Sequence, residues 1–381
     1  MHEFPEHLAA KGHEVGFVQF PEGLTKVQLR NTPFKQAIAG RVVKDTELTL
    51  FTPRTGSGGL IGRLTTVFTF GGQFKRIVQD FRPDVIVSFA VPTSGWQALR
   101  VAKKSGTPFV FRALDVSHKI RKSEFSNLIS LAERFIYRTA DWVSANNPAM
   151  LEYTLNSGAD NSRSSVNFPP LDLNHFASIS NERKLTIRTS LGISASSKVL
   201  LYMGSFFYFS GLPEVIKEFA ASAKADEFLV LVGAGDQGEE LRDLVSELAI
   251  QDRVLFTGLV SFSDLPDYLS IADVAINSLK QSLVANTAFP NKVLQYMAAG
   301  LPVVSTRLRG LELSFGAGLP GLIFADSPKG VAAESLRLIR GSEDLSSLGS
   351  KNAELIADMF ARGAAVDSFE ELLLELQAGA K

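Results

Sequence analysis

The chain has no cysteine among its 381 residues. That excludes disulfides, thiolate nucleophiles and thiolate-held metal clusters, and leaves the compartment open. The five histidines are scattered, no Asp-x-Asp pair exists to hold a metal-bound nucleotide, and nothing has the pattern of a Ser-His-Asp triad. No apolar run is long enough to span a bilayer. The stretch Met1 to Gly12 is polar and acidic, unlike a secretory signal. Charge of one sign is lacking overall, with a formal net of −1. It is unevenly spread, however. Residues 1–175 hold 21 Lys+Arg against 15 Asp+Glu, a net of +6, and the remainder holds 18 against 25, a net of −7. A basic first half is compatible with anionic lipid or a phosphate-bearing acceptor, and equally with chance asymmetry of the surface.

What is present is a well-cored soluble composition, 45% apolar and 21% charged, at a length that suits two domains. Short apolar runs alternate with helical patterns. In the first half these are strands ending at Phe20, at Glu47–Phe51, Pro83–Phe89, Pro108–Phe111 and Asp141–Ala145. Helices fall at Leu60–Phe81, Gly95–Gly106, Phe125–Thr139 and Pro148–Ser157. In the second half, strands are expected at Lys198–Met203, Phe228–Val232, Val254–Thr257, Ala272–Asn277 and Val303–Thr306. Such alternation implies parallel sheets covered on both faces, where ligands bind beyond the carboxyl ends of strands. Thr55–Gly59 reads as a flexible loop. The helix Leu60–Phe81 either packs on the sheet or lies on a membrane surface.

The most informative run is Ala288–Thr306, AFPNKVLQYMAAGLPVVST. Asn291 is placed to cap a helix; Val293, Leu294, Met297 and Ala298 give it one buried face; Gly300 and Pro302 end it. A helix start presents unpaired N–H groups suited to phosphate. Lys292 stands in that first turn, where a cation is normally disfavoured. Either an anion binds beside it or it is an ordinary surface lysine. Gly233–Gly238 spells G-x-G-x-x-G between a strand and a helix. Asp236, Glu239 and Glu240 would place negative charge where a pyrophosphate should sit, and no acid ends the next strand, so a dinucleotide site is not expected. In the first half, the strand ending near Phe111 delivers Arg112, Asp115 and His118 to its carboxyl end. Asp115 and His118 are candidate acid/base or acceptor-binding groups; as alternatives, Asp115 caps the next helix and His118 is a structural hydrogen-bonder.

The wording PNKVLQYMAAGLPVV resembles the donor-site helix of GT-B glycosyltransferases, in particular the large retaining family numbered four, the glycosyl transferases of group 1. The resemblance extends over most of the chain. It implies two Rossmann-like, doubly wound domains facing across a cleft: an acceptor-side domain at 1–177, a nucleotide-sugar-binding domain at 190–355, and a segment 356–381 whose helix returns to the first domain. Family members begin one strand and one Gly-rich turn earlier, so the first strand of the N-terminal domain is expected to be missing from the sequence as given, or to lie upstream. The resemblance further implies sugar transfer from a nucleotide diphosphate sugar to an acceptor hydroxyl with retention, in polysaccharide or glycolipid synthesis. No metal and no cofactor beyond the donor are implied. The partners implied are a glycan or lipid-linked acceptor and no nucleic acid, with a cytoplasmic location that includes peripheral contact with the inner membrane face through the basic first domain.

Family residues carry over as follows. Gly204–Gly211 occupies the main phosphate loop, with Ser205 and Ser210 where an Arg and a Lys are usual. The paired glutamates, eight apart, fall on Thr287 and Gln295. Phosphate is then expected on Gly204, Ser205, Ser210, Asn291 and Lys292, ribose on Gln295, and the base on the backbone near Val260. The aromatic run Phe206–Phe209 suggests a more apolar lining. The missing Arg, Lys and Glu also admit a second reading, a non-catalytic nucleotide-sugar-binding partner of another transferase.

Overall fold

The computed structural model describes residues 3–379 apart from 20–27, 29–30, 42, 55–59, 90–91, 121–125, 178–180, 317 and 361–362. The loop expected at Thr55–Gly59 lies outside the described residues. Two compact units divide the chain: residues Met1–Pro170 with Gly363–Lys381, and residues Leu171–Arg362. The boundary at 170 precedes the one read from the sequence by seven residues, because the helix Leu173–Ala177 packs on the second unit's helices at Leu265–Ser270 and Asn291–Ala298.

Among the described residues the first unit carries seven strands: β1 (Gly16–Val18), β2 (Lys35–Ala39), β3 (Glu47–Phe51), β4 (Ile86–Phe89), β5 (Phe109–Ala113), β6 (Trp142–Ala145) and β7 (Ser164–Val166). They form two sheets, β1-β3-β2 and β4-β5-β6-β7. All pairings are parallel except β2 with β3. Strands β2 and β7 were not expected. Each is short, with half-buried residues rather than an apolar run. β5 is buried along its whole length, as a central parallel strand should be.

Between β1 and β4 the sheet is interrupted. A cavity of about 620 Å³ lies there, with β1 along one side and β4 along the other, Phe4 and Phe369 at one face and Phe74 and Phe81 at the other. This is the position of the strand whose absence the sequence suggested. The helix Leu60–Phe81 buries Phe70, Phe74, Ile77 and Val78 in the core, so from Phe70 onward its apolar face is used within the unit and not on a membrane. On the other face, the helix Ala364–Gly379 packs Val366, Phe369 and Leu372 with Phe4 and Val110.

Among the described residues the second unit has one parallel sheet of six strands: β8 (Lys198–Met203), β9 (Glu227–Val232), β10 (Val254–Gly258), β11 (Val274–Asn277), β12 (Val303–Thr306) and β13 (Leu322–Ala325), in the order β10-β9-β8-β11-β12-β13. Five of these were expected. The sixth, β13, escaped because four residues framed by glycines and an acid carry too little pattern. The connection reverses direction between β8 and β11. That is the switch point of a doubly wound sheet, where the loops after the two strands diverge and leave a crevice at their carboxyl ends.

Candidate functional site

The second unit's site is built at that switch point. β8 ends at Gly204, whose φ of +136° favours glycine. The helix Asn291–Ala298 arrives from the β11 side. Its position is fixed by Tyr296, whose hydroxyl accepts from the Met203 N–H at 2.7 Å and donates to the Met203 carbonyl at 3.3 Å. Pro290, not Asn291, is the capping position, and no side chain caps the helix. The expected Asn291 cap is therefore corrected: Asn291 is the first helical residue and is exposed. The consequence favours a ligand, because the first-turn N–H groups are left without a side-chain acceptor.

Lys292 turns inward from that first turn. Its ammonium sits 3.9 Å above the centre of the Tyr202 ring. It also lies against Gly204, where an added Cβ would meet Nζ at 2.8 Å. Among the described residues no carboxylate pairs with it. Burial pushes its pKa down to about 7. A half-buried lysine over a ring and a glycine backbone, with no carboxylate beside it, has hydrogen-bonding capacity to offer an anion. Sequence reasoning found Lys292 but missed Tyr202 and Tyr296. Both belong to apolar runs, and nothing in the sequence tells a tyrosine clamp from a core tyrosine.

Around this pair the loops after β8 and β9 lie backbone on backbone. Gly204 N–H donates to the Val232 carbonyl at 2.9 Å, Phe206 N–H to the Ala234 carbonyl at 3.0 Å, and Gln237 N–H to the Phe206 carbonyl at 3.0 Å. A Cβ on Gly233 would lie 2.1 Å from the Gly204 carbonyl oxygen, and one on Gly235 would lie 2.5 Å from the Phe206 nitrogen. The two glycines of the G-x-G turn thus serve close packing of one loop on another.

The remaining candidates separate by burial. Ser205 is exposed beside Gly204. Ser210 is fully buried, and its carbonyl accepts from Ser278 Oγ at 2.7 Å, which holds the loop to the end of β11. Phe206 is likewise core, packed by Tyr202 and Phe256. Phe207, Tyr208 and Phe209 are exposed and touch one another, with centroids 5.3 and 5.5 Å apart. Gln295 and Val260 are half-buried. Thr287 is buried and donates to the Leu283 carbonyl at 2.9 Å, so its hydroxyl is held within its own helix.

In the first unit, Asp115 and His118 both follow β5, and no hydrogen bond or ion pair joins them among the described residues. Burial pushes the Asp115 carboxyl up. His118 Nδ1 lies 2.6 Å from Glu133 Oε2, while Glu133 Oε1 accepts the Ser117 N–H at 3.0 Å. Glu133 is 1% exposed. A buried carboxylate on Nδ1 fixes the orientation of the ring. Glu133 was missed because it sits in the middle of a helix with no local signal. Arg112 is not a site group. It is buried, donates to Ser144 Oγ and the Asn167 carbonyl, both at 2.7 Å, and lies against the rings of Phe4 and Phe369, which also touch each other. Burial pushes its pKa down to about 9.

No helix among the described residues is long and apolar enough to cross a membrane, and no group of His, Asp and Glu among them could hold a metal ion.

Comparison with known proteins places this architecture. The chain is 27% identical over 192 residues to N-acetyl-alpha-D-glucosaminyl L-malate synthase of Bacillus anthracis, a match spanning 50% of this chain and 49% of that protein. The fold is shared with sucrose-phosphate synthase from Thermosynechococcus elongatus at a TM-score of 0.80 and 20% identity, covering 99% of this chain and 92% of that one. It is shared too with Anabaena HepE in complex with UDP and glucose at 0.76 and 17%, covering 98% and 94%. Residues 1–167 match the glycosyl transferase 4-like domain, and residues 197–341 match the glycosyl transferases of group 1. With residues 1–167 and 197–341 so matched, and with two α/β units of GT-B type, the chain belongs to the glycosyltransferases of the GT-B fold.

Proposed function

We propose that this protein transfers a glycosyl group from a nucleoside diphosphate sugar to an acceptor hydroxyl, and that the second unit holds the donor. The single observation that carries the reading is Lys292: a half-buried lysine over the Tyr202 ring, with no carboxylate partner among the described residues, at an uncapped helix start beside Gly204. The diphosphate completes that arrangement. Its oxygens accept from the first-turn N–H groups and from Lys292, with Ser205 at the rim. As the bond to the sugar breaks, charge develops on the leaving phosphate, and donors already in place stabilise it. Gln295 supplies an amide to the ribose, and the backbone near Val260 borders the base. His118, held by Glu133, and Asp115 act on the acceptor side. Retention of configuration and an acceptor in envelope polysaccharide or glycolipid follow the family resemblance.

A second reading, a non-catalytic donor-binding partner, is favoured by one observation. The Thr287 hydroxyl is engaged within its helix, so no carboxylate faces a sugar there. Incubation of the purified chain with UDP- and GDP-sugars separates the two. Turnover or hydrolysis supports the enzyme, and thermal stabilisation without either supports the partner. Lys292→Ala is expected to weaken UDP binding by roughly tenfold or more, about 1.4 kcal/mol. Unchanged binding in that variant defeats both readings.

A further inference from the structure

Three aromatic rings stand in water on the loop after β8. Phe207 is 38% exposed, Tyr208 61% and Phe209 39%. The centroids of Phe207 and Phe209 lie 5.3 Å apart with their planes inclined at 31°, and Tyr208 stands upright on Phe209 at 5.5 Å and 82°. Large apolar side chains gathered on a surface mark a place where something binds. These three are also held still. On one side Phe206 is in the core, its N–H on the Ala234 carbonyl and its own carbonyl accepting from Gln237. On the other, the Phe209 carbonyl accepts the Lys280 N–H at 2.9 Å, and the Ser210 carbonyl is held by Ser278. Gly211 follows, so close to β11 that an added Cβ would lie 2.2 Å from the Ser278 carbonyl oxygen. The turn closes on itself through the Ser210 N–H and the Phe207 carbonyl at 2.8 Å. A fixed loop thus presents the rings at the carboxyl end of β8, the edge where doubly wound sheets take their ligands. The loop Gly204–Gly211 has no charged residue, and Lys280 is paired with Glu214 at 2.7 Å. Acids stand beside it instead. Asp236 is exposed between Gly235 and Gln237, both of which lie against the Phe206 backbone, and Glu239 is exposed in the first turn of the helix Gly238–Glu247.

We propose that Phe207, Tyr208 and Phe209 form a platform for a neutral pyranose ring of a glycan, a sugar site of the second unit separate from the phosphate site at Lys292. A pyranose has an apolar face of C–H groups and a rim of hydroxyls. The face lies on the rings, whose π-electrons attract its C–H hydrogens, and the Tyr208 hydroxyl offers the rim a polar handle. Ionised carboxylates accept hydrogen bonds only, so Asp236 and Glu239 suit a ligand that is rich in hydroxyl donors and carries no negative charge. A phosphorylated or uronic ligand would meet those acids as like charges. An acyl chain would leave both the acids and the phenol unused. Rings held in place beforehand lose little freedom on binding, which favours a small ligand on an open surface. The inference concerns the second unit alone and holds whether or not the donor site turns over.

The test is saturation-transfer NMR of the full chain with cellotetraose, a neutral glycan, and with tetragalacturonate, an anionic one, in the absence of nucleotide. The expected result is transfer to the ring C–H protons of cellotetraose, with a Kd on the order of millimolar, as suits a few sugar rings on an open surface. Tetragalacturonate should bind at least about tenfold more weakly. Tyr208→Ala with Phe209→Ala should weaken cellotetraose by at least about tenfold, and Tyr208→Ala alone by several-fold. Asp236→Asn with Glu239→Gln should narrow the preference over tetragalacturonate. All four positions are on the surface, so the melting temperatures should match the parent's. Repeating the titration with UDP in excess should leave the cellotetraose affinity unchanged. No transfer to cellotetraose, equal binding of the two oligosaccharides, or binding undiminished in the ring variants overturns the proposal. So does competition by UDP, which would put the sugar in the donor site and not on the rings.

Discussion

At the scale of single residues, Lys292 carries the most consequence because its environment sets its charge. Desolvation holds its pKa at about 7 in place of 10.5. Above about pH 7 the folded, unliganded chain therefore prefers the neutral amine. The contribution of Lys292 to stability is lowest below about pH 7, where the proton must be carried in a partly desolvated site, and it rises as pH climbs from about 7 towards 10.5. A bound diphosphate reverses the preference by favouring the ammonium. UDP affinity is thus expected to fall as pH rises above 7, by up to about tenfold per pH unit. Calorimetry in buffers of different ionisation enthalpy should show proton uptake on binding near pH 8. In Lys292→Met the pH dependence and the uptake should vanish, and the unliganded variant should melt higher than the parent below pH 7. A parent chain whose UDP affinity is flat across this range would rule out Lys292 as the phosphate cation. This residue was legible in the sequence because a cation in a helix's first turn is out of place. The ring beneath it was not, since Tyr202 comes from a strand ninety positions earlier and only the fold brings the two together.

At the scale of elements, legibility followed the apolar run more than burial: β4 and β10, half-buried along most of their length, could be read, and β2 and β7 could not. β8 and β12 have the bounds expected from their apolar runs. β2, with the sequence KQAIA, alternates exposed and half-buried positions and held no such run. The loop after β9 is the instructive case. Its G-x-G-x-x-G spelling suggested a nucleotide turn, and its acids argued against one. What the glycines do is remove every atom between two main chains. Gly235→Ala would drive a methyl into the Phe206 backbone, which cannot step aside as a flexible side chain would. Urea unfolding should show a loss of about 1–3 kcal/mol in the second unit. UDP affinity should fall with it, because Phe206 carries the Gly204 loop. A variant as stable as the parent chain would mean that the two loops move independently.

At the scale of the whole molecule, the two units differ in how completely their sheets close. The second has six strands in one ladder, each inner strand paired on both sides. The first has an interruption beside β4, and its other face depends on a helix from the far end of the chain. That helix brings Phe369 to within 4.6 Å of Phe4 and 5.4 Å of the Arg112 guanidinium, and it brings Glu370 to Lys11 and His13. Burying Val366, Phe369 and Leu372 is worth about 1.5–3 kcal/mol each, a large part of the 5–15 kcal/mol typical of a domain. Without it, Arg112 would keep its two hydrogen bonds and lose one of its two ring faces. A chain ending at Arg362 should therefore show two melting transitions: an early one from the first unit, at least about 10 °C below the parent's, and a later one still raised by UDP. Loss of UDP stabilisation in that shorter chain would show that the donor site depends on the terminal helix. A single transition at the parent's temperature would show that the first unit stands without it. The return of this helix was legible only through family resemblance. Its own sequence says amphipathic, and only the apolar face of Phe4 and Val110 tells it where to go.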